Sequence, residues 1–166
     1  IPGEGFDRQS LAQQLLEVPR ELAAHFFAAS KIVEVRELTE TMYSTSQELG
    51  CEHNPGVAWL KKLVARNLSN SDLDGAFASL ALGEKDLDMQ GSFLAVARAF
   101  FAAGDFQKAS EAARYIIPSS PRQRAAHKAA WGEKLRKLNL AIAERMLHAD
   151  RGAVLEVVAR CLKRFY

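Results

Sequence analysis

Residues 91–121 read GSFLAVARAFFAAGDFQKASEAARYIIPSSP. Phe93, Val96, Ala97 and Phe100 recur at the spacing that brings side chains to one face of a helix. Gly104-Asp105 interrupts that pattern: Gly favours the left-handed end of a helix, and Asp caps the start of the next. Phe106, Ala109, Ala113 and Ile116 then form a second apolar face, which Pro121 stops. The stretch is predicted to be one helix–turn–helix unit, with small residues where two helices approach closely. Such a unit cannot bury its own faces alone, and stacking on like units is the usual solution.

Most of the remaining sequence reads as helix too. Val and Ile are scattered, and no alternating strand pattern persists. A short amphipathic helix is predicted from Ser10 to Leu16, with Pro19 in the first turn of a second helix carrying Leu22, Phe26 and Phe27. A turn at 28–31 leads to a helix with Val33, Val35, Leu38 and Met42, ending near Leu49-Gly50. Pro55 or Gly56 opens a helix with Trp59, Leu63 and Val64 inward. Asp72 caps one carrying Leu73, Ala76, Phe77 and Leu80, and Gly83 ends it. Beyond Pro118-Ser119-Ser120-Pro121, a long helix from about Arg122 to Leu147 is expected, with Ala126, Ala130, Trp131, Leu135, Leu138 and Ile142 on its apolar side. Asp150 is expected to cap a last helix with the stripe Val154, Leu155, Val158 and Leu162.

Two of these units align. Trp59 and Phe93 are 34 residues apart, and the turn residues Asp72 and Asp105 are 33 apart, a period that suits stacked helical hairpins. A more degenerate copy runs from Lys31-Ile32-Val33 through Met42 and Leu49-Gly50 to Asn54-Pro55. The predicted fold is all-α: a short right-handed α-solenoid of antiparallel helix pairs with a C-terminal helical hairpin. It forms one domain over 1–166, with an N-terminal segment 1–19, about three hairpins in 20–121 and a basic capping hairpin in 122–166.

The pattern of Phe93, Ala97, Phe100, Gly104-Asp105-Phe106, Ala109 and Pro121 resembles a tetratricopeptide repeat. Met42 to Leu80, with Asn54-Pro55, Trp59 and Asp72-Leu73-Asp74, is similar to a pentatricopeptide repeat. The resemblance spans about residues 20–121. The first family implies a protein-binding scaffold; the second implies single-stranded RNA binding in organelles, one base per repeat. In pentatricopeptide proteins the residue after the opening aromatic and the last residue of the repeat read the base. Here those positions hold Leu60 and Leu94, and Pro55 and Met89. None offers the paired hydrogen bonds that read a base edge.

Charge is unevenly spread. Residues 1–115 carry 11 Lys and Arg against 16 Asp and Glu, a balance of −5; residues 116–166 carry 11 against 4, a balance of +7. The basic end suits phosphates, an acidic protein or the acidic front of a neighbouring copy. Arg122, Arg124, Lys128, Lys134, Arg136 and Lys137 are the candidate partner contacts, together with Phe101, which sits about 100° round the helix from Phe100. No catalytic, cofactor-binding or metal-ligating set is expected. Cys51-Glu52-His53 lacks further ligands at zinc spacing, Glu84, Asp86 and Asp88 lack the order of a calcium loop, and Trp59 and Trp131 sit on core stripes. The expected function is a non-catalytic helical-repeat scaffold binding a protein partner, as a subunit or fragment of a larger assembly. The alternative is a pentatricopeptide-like RNA-binding protein of organellar RNA metabolism.

Two cysteines far apart do not make a disulfide framework. No apolar run approaches the roughly 18 residues of a membrane span, so no membrane partner is expected. Ile1 to Asp7 lacks the regions of a signal peptide, and with no initiator Met a processed or partial chain is expected. An intracellular location is expected, with cytoplasm, mitochondrion and plastid all open.

Overall fold

Three turns set the architecture, and they share one geometry. Ser30, Ser71 and Gly104 lie in the left-handed region, at φ of 58°, 59° and 83°. The residue after each is alike: Lys31 (φ −84°, ψ 73°), Asp72 (−87°, 77°) and Asp105 (−87°, 78°). Each then donates its N–H back to the carbonyl five residues earlier: Lys31 to Phe26 at 2.9 Å, Asp72 to Asn67 at 2.8 Å and Asp105 to Phe100 at 3.0 Å. This pairing satisfies carbonyls that the helix end would orphan and reverses the chain. Asp72 and Asp105 also cap the following helix, accepting from the N–H groups of Gly75 (2.9 Å) and Lys108 (3.0 Å), whereas Lys31 makes no side-chain cap.

The computed structural model describes residues 8–51, 53–83, 86–117, 125–147 and 151–163, and among these it is all-helical. In chain order the helices are α1 (Arg8–Ala28), α2 (Ile32–Glu48), α3 (Pro55–Ser69), α4 (Leu73–Leu82), α5 (Gln90–Ala102), α6 (Phe106–Arg114), α7 (Ala125–Met146) and α8 (Arg151–Lys163), with a 3-10 turn at Leu87–Met89. The repeated turn joins α1 to α2, α3 to α4 and α5 to α6, and α2 ends in a like way, with Gly50 at φ 64° and the Cys51 N–H donating to the Ser46 carbonyl at 3.0 Å. Consecutive helices pack on one another throughout, and α3 also touches α5, which touches α7.

Close approach between α2 and α3 depends on one glycine. A Cβ on Gly56 would lie 2.7 Å from the backbone and Cβ of Tyr43. Asn54 holds the same junction. Its Nδ2 donates to the Tyr43 carbonyl at 3.1 Å, while its Oδ1 accepts from the Gly56 N–H at 2.9 Å and caps α3. The sequence Asn54-Pro55-Gly56 is therefore at once a helix start and a helix–helix seam.

The core falls into two clusters. The larger runs from Tyr43 to Val157 and centres on α5, where Phe93, Val96, Ala97 and Phe100 are buried. Phe93 stacks on Tyr115 (5.3 Å between centroids), and Phe100 meets Phe77 edge-on at 6.0 Å. The smaller joins Leu16 and Ala23 of α1, Val35 and Met42 of α2, and Trp59 and Leu63 of α3. Polar links tie α4, α6 and α8: Lys108 to Asp74 (2.6 Å), Arg114 to Glu156, and Arg160 to the Ser110 hydroxyl and carbonyl, the carbonyl at 2.8 Å. The two ion pairs are substantially exposed, so each contributes little to stability.

The structure differs from the sequence reading at Pro19 and refines it on α2 and α8. Pro19 does not begin a helix; α1 runs through it. Pro inside a helix costs about 3 kcal/mol, but buried Ala12, Leu16 and Ala23 form one face across it, and breaking the helix would unseat that face. Val33 points to solvent while Val35 and Met42 go inward. On α8, Leu155, Val158 and Leu162 are exposed and Val157 is buried, while the Val154 side chain lies outside the described residues. The Asp150 cap and the stretch 118–124 lie outside the described residues.

Candidate functional site

The exposed side chains of α3 and α5 are small, polar or basic, and those of α7 are mixed, with Leu140 and Glu144 among them. On α3 the exposed positions are Ala58, Lys61, Lys62, Ala65 and Ser69; on α5 they are Gly91, Ala95, Arg98 and Ala102; on α7, among the described side chains, they are Ala129, Ala130, Lys134, Lys137, Leu140, Glu144 and Arg145. The spacing follows from the opposite face. Leu60, Leu63 and Val64 on α3, and Phe93, Val96 and Phe100 on α5, take the buried positions. Lys61, Arg98 and Lys134 are exposed and make no ion pair among the described residues.

A trough adjoins this surface at the α1 end. A cavity of about 890 Å³ lies between α1, including Gln13, Glu17 and Arg20, and the stretch Cys51 to Ala58. A second, of about 770 Å³, continues toward the end of α2, Lys61 and the 86–88 turn. Cys51, His53, Asn54 and Ala58 line both. Burial, reinforced by Asp86, pushes the Tyr43 hydroxyl above its ordinary range, so it stays a neutral phenol.

The residues singled out in the sequence do not form one patch. Arg122 and Arg124 lie outside the described residues. Lys128 is half-buried on α7, while Lys134 and Lys137 are exposed. Arg136 is engaged: its guanidinium grips Glu133 through two hydrogen bonds of 2.8 and 2.7 Å, with Lys137 at 3.7 Å from the same carboxylate. The Arg136 hydrogen bond holds the Glu133 carboxyl below its usual range, and the Arg136 pKa is raised in return. One acid thus offsets part of the basic segment. Phe101 is half-buried against Phe106 of its own hairpin, 5.4 Å between centroids.

Both tryptophans have internal work. Trp59 is buried, met edge-on by Phe27 at 5.8 Å and covered by the Lys62 ammonium at 4.1 Å. The Trp131 indole donates to the Ile117 carbonyl at 2.9 Å. Leu60, Leu94 and Met89 are all buried, and Pro55 is half-buried in the first turn of α3. Cys51 is half-buried and His53 exposed; Glu52 and Glu84 lie outside the described residues. Among the described residues no three His, Cys, Asp or Glu side chains gather closely enough to hold a metal ion, and no helix is long and apolar enough to cross a membrane.

No protein-family model matches the chain, and no curated protein or solved structure matches it. Residues that sequence reasoning passed over include Lys61 and Arg98, which stand out only once their helices are seen to pack side by side. Gln90 was equally hidden. Its side chain donates to the Tyr115 carbonyl at 3.2 Å and accepts from the Ile117 N–H at 2.6 Å, clamping the end of α6 to the start of α5.

Proposed function

We propose that the chain is a non-catalytic scaffold, a short right-handed stack of helical hairpins, that binds an acidic segment of a protein partner. The partner lies along the outward faces of α3, α5 and α7. The observation that carries this reading is the composition of those faces: alanine and glycine leave room for a partner's side chains, and Lys61, Arg98 and Lys134 stand unpaired among them. Charges of one sign along a surface steer an oppositely charged partner and set its register more than they add raw affinity. The recurrence of one turn geometry at 30–31, 71–72 and 104–105 supports the array.

RNA binding is the second reading, and the same three cations favour it, because phosphate attraction dominates nucleic-acid affinity. Burial of Leu60, Leu94 and Met89 weighs against sequence readout at the positions a pentatricopeptide protein would use.

A pull-down from native extract, with and without ribonuclease, separates the two. The scaffold reading expects a protein that survives ribonuclease and is lost when Lys61, Arg98 and Lys134 are replaced by Glu together. Loss of the captured material on ribonuclease treatment would transfer the assignment to RNA. Capture unaffected by the triple replacement would remove these faces from the interaction.

A further inference from the structure

Cys51 stands where the two cavities of the trough meet, of about 890 and 770 Å³, and lines both. It follows the left-handed Gly50 at the end of α2. Its thiol is free and its side chain half-buried, within reach of a molecule lying in the trough.

The last turns of α2 also hold a polar group with no internal use. Ser46 is 1% exposed, and its hydroxyl has no hydrogen-bond partner among the described residues. A hydroxyl on a helix can bond the carbonyl four residues back, as Thr39 does to Val35 at 2.7 Å and Ser79 to Gly75 at 2.9 Å. Ser46 does not, and a buried hydroxyl left unbonded is unfavourable. Ser46 lines the second cavity together with Cys51, so a molecule held there supplies the partner that the fold does not.

Charges of both signs stand on either side of the thiol. The charged lining residues of the first cavity are Glu17 and Arg20; those of the second are Lys61, Asp86 and Asp88. None of the five makes an ion pair among the described residues. One Asp86 oxygen accepts from the Asp88 N–H at 2.9 Å. Such a trough suits a molecule of two like halves, each carrying an ammonium and a carboxylate, with sulfur at its middle.

We propose that Cys51 is a modification site for the disulfide of an amino-acid or short-peptide thiol. One half of the disulfide lies in each cavity, and a polar group of the half in the second cavity bonds the Ser46 hydroxyl. The Cys51 thiolate attacks the sulfur of that half. A bond forms between those two sulfurs as the original disulfide bond breaks, and the other half leaves as a thiol with the proton that Cys51 gave up. Cys51 is oxidised and the departing half reduced, so no further oxidant is needed.

The test compares two probes on the reduced full chain: glutathione disulfide, a charged peptide disulfide, and the uncharged disulfide of mercaptoethanol. Adducts are counted by intact mass, placed by peptide mapping, and followed as initial rate against probe concentration. Glutathione is expected on Cys51, at a rate that levels off as the trough fills. The uncharged probe is expected to react in simple proportion to its concentration. Ser46→Ala removes an unpartnered hydroxyl, so helix content and urea midpoint should be kept. Its glutathione rate at low concentration should fall about three- to tenfold, the worth of one hydrogen bond. Arg20→Gln with Lys61→Gln should abolish the levelling and leave reaction with the uncharged probe unchanged. A glutathione rate that never levels off would overturn the proposal, as would an adduct confined to Cys161 or a Ser46→Ala rate equal to that of the unaltered chain. The two-probe comparison needs no variant, so it decides even where a substitution disturbs the helix.

Discussion

The hairpin α5–α6 and the helix α8 are similarly apolar in sequence but behave differently in the fold. Phe93, Val96, Ala97 and Phe100 bury their face completely, between Phe77 on one side and Tyr115 on the other. In α8, Val157 is buried while Leu155, Val158 and Leu162 remain open. The α1 helix repeats the contrast: Leu16 and Ala23 are buried, Leu15, Val18 and Leu22 exposed. A stacked hairpin has neighbours on two sides and uses two faces; an end helix has a neighbour on one. The proposed stack predicts stability concentrated in its middle and thin toward α1 and α8.

The largest expected effect comes from opposing the two regions directly. Phe93→Ala removes a fully buried ring from the centre and is expected to cost about 3–5 kcal/mol, read as a lower urea midpoint. Leu22→Ala on the open side of α1 should change dilute-solution stability by less than about 0.5 kcal/mol. Equal losses would mean that α1 is as tightly enclosed as α5.

Next in size is a pair of glycine substitutions. Gly56→Ala drives a methyl group into the Tyr43 backbone, 2.7 Å away, at a seam with no flexible side-chain end to yield. A loss of about 1–3 kcal/mol is expected. Gly91→Ala, also on a helix, meets nothing within 4 Å and should stabilise by roughly 0.5–1 kcal/mol. Thermal melts of the two variants should move in opposite directions.

The repeated turns offer a finer comparison. Asp105→Ala removes the cap bond to Lys108 and should cost about 1 kcal/mol. Lys31 has the same backbone angles without a cap, and Glu34 lies three residues on. Lys31→Ser would complete a capping box there and is expected to gain about 0.5 kcal/mol despite the lost Phe26 contact. A loss at position 31 would show that the first turn differs from the other two in more than its cap.

The smallest effect concerns pH. The Glu133 carboxyl is held below its ordinary pKa by Arg136, so its contribution is present above the unfolded value and fades as pH falls through the lowered folded one. Urea midpoints of Glu133→Gln should accordingly fall slightly less on acidification than those of the unaltered chain. A steeper fall in the variant would contradict that sign.

Much of the all-helical fold was legible in sequence because its signals are local. Gly104-Asp105 and Asp72 announce their turns, and the face of Phe93, Val96, Ala97 and Phe100 lies entirely on the buried side. Pro19 misled because a local rule about helix starts competes with a face, Ala12 to Ala23, that runs through it. On α8 the apolar residues extend round much of the helix, so periodicity alone cannot choose between Val157 and the stripe at 155, 158 and 162. Gln90 bonds residues 25 and 27 positions away, which no local pattern encodes. The outward site was half legible: the basic run in 122–137 drew attention, but Glu133 engages Arg136 and Lys137, and Lys61 and Arg98 lie on earlier helices.

The most direct test of a stacked array with open ends is native-state hydrogen exchange, resolved helix by helix, on dilute monomer. Stacking predicts the highest protection in α3 and α5 and a graded fall toward α1 and α8. Uniform protection across all eight helices, lost in a single cooperative step, would contradict it and indicate one closed core.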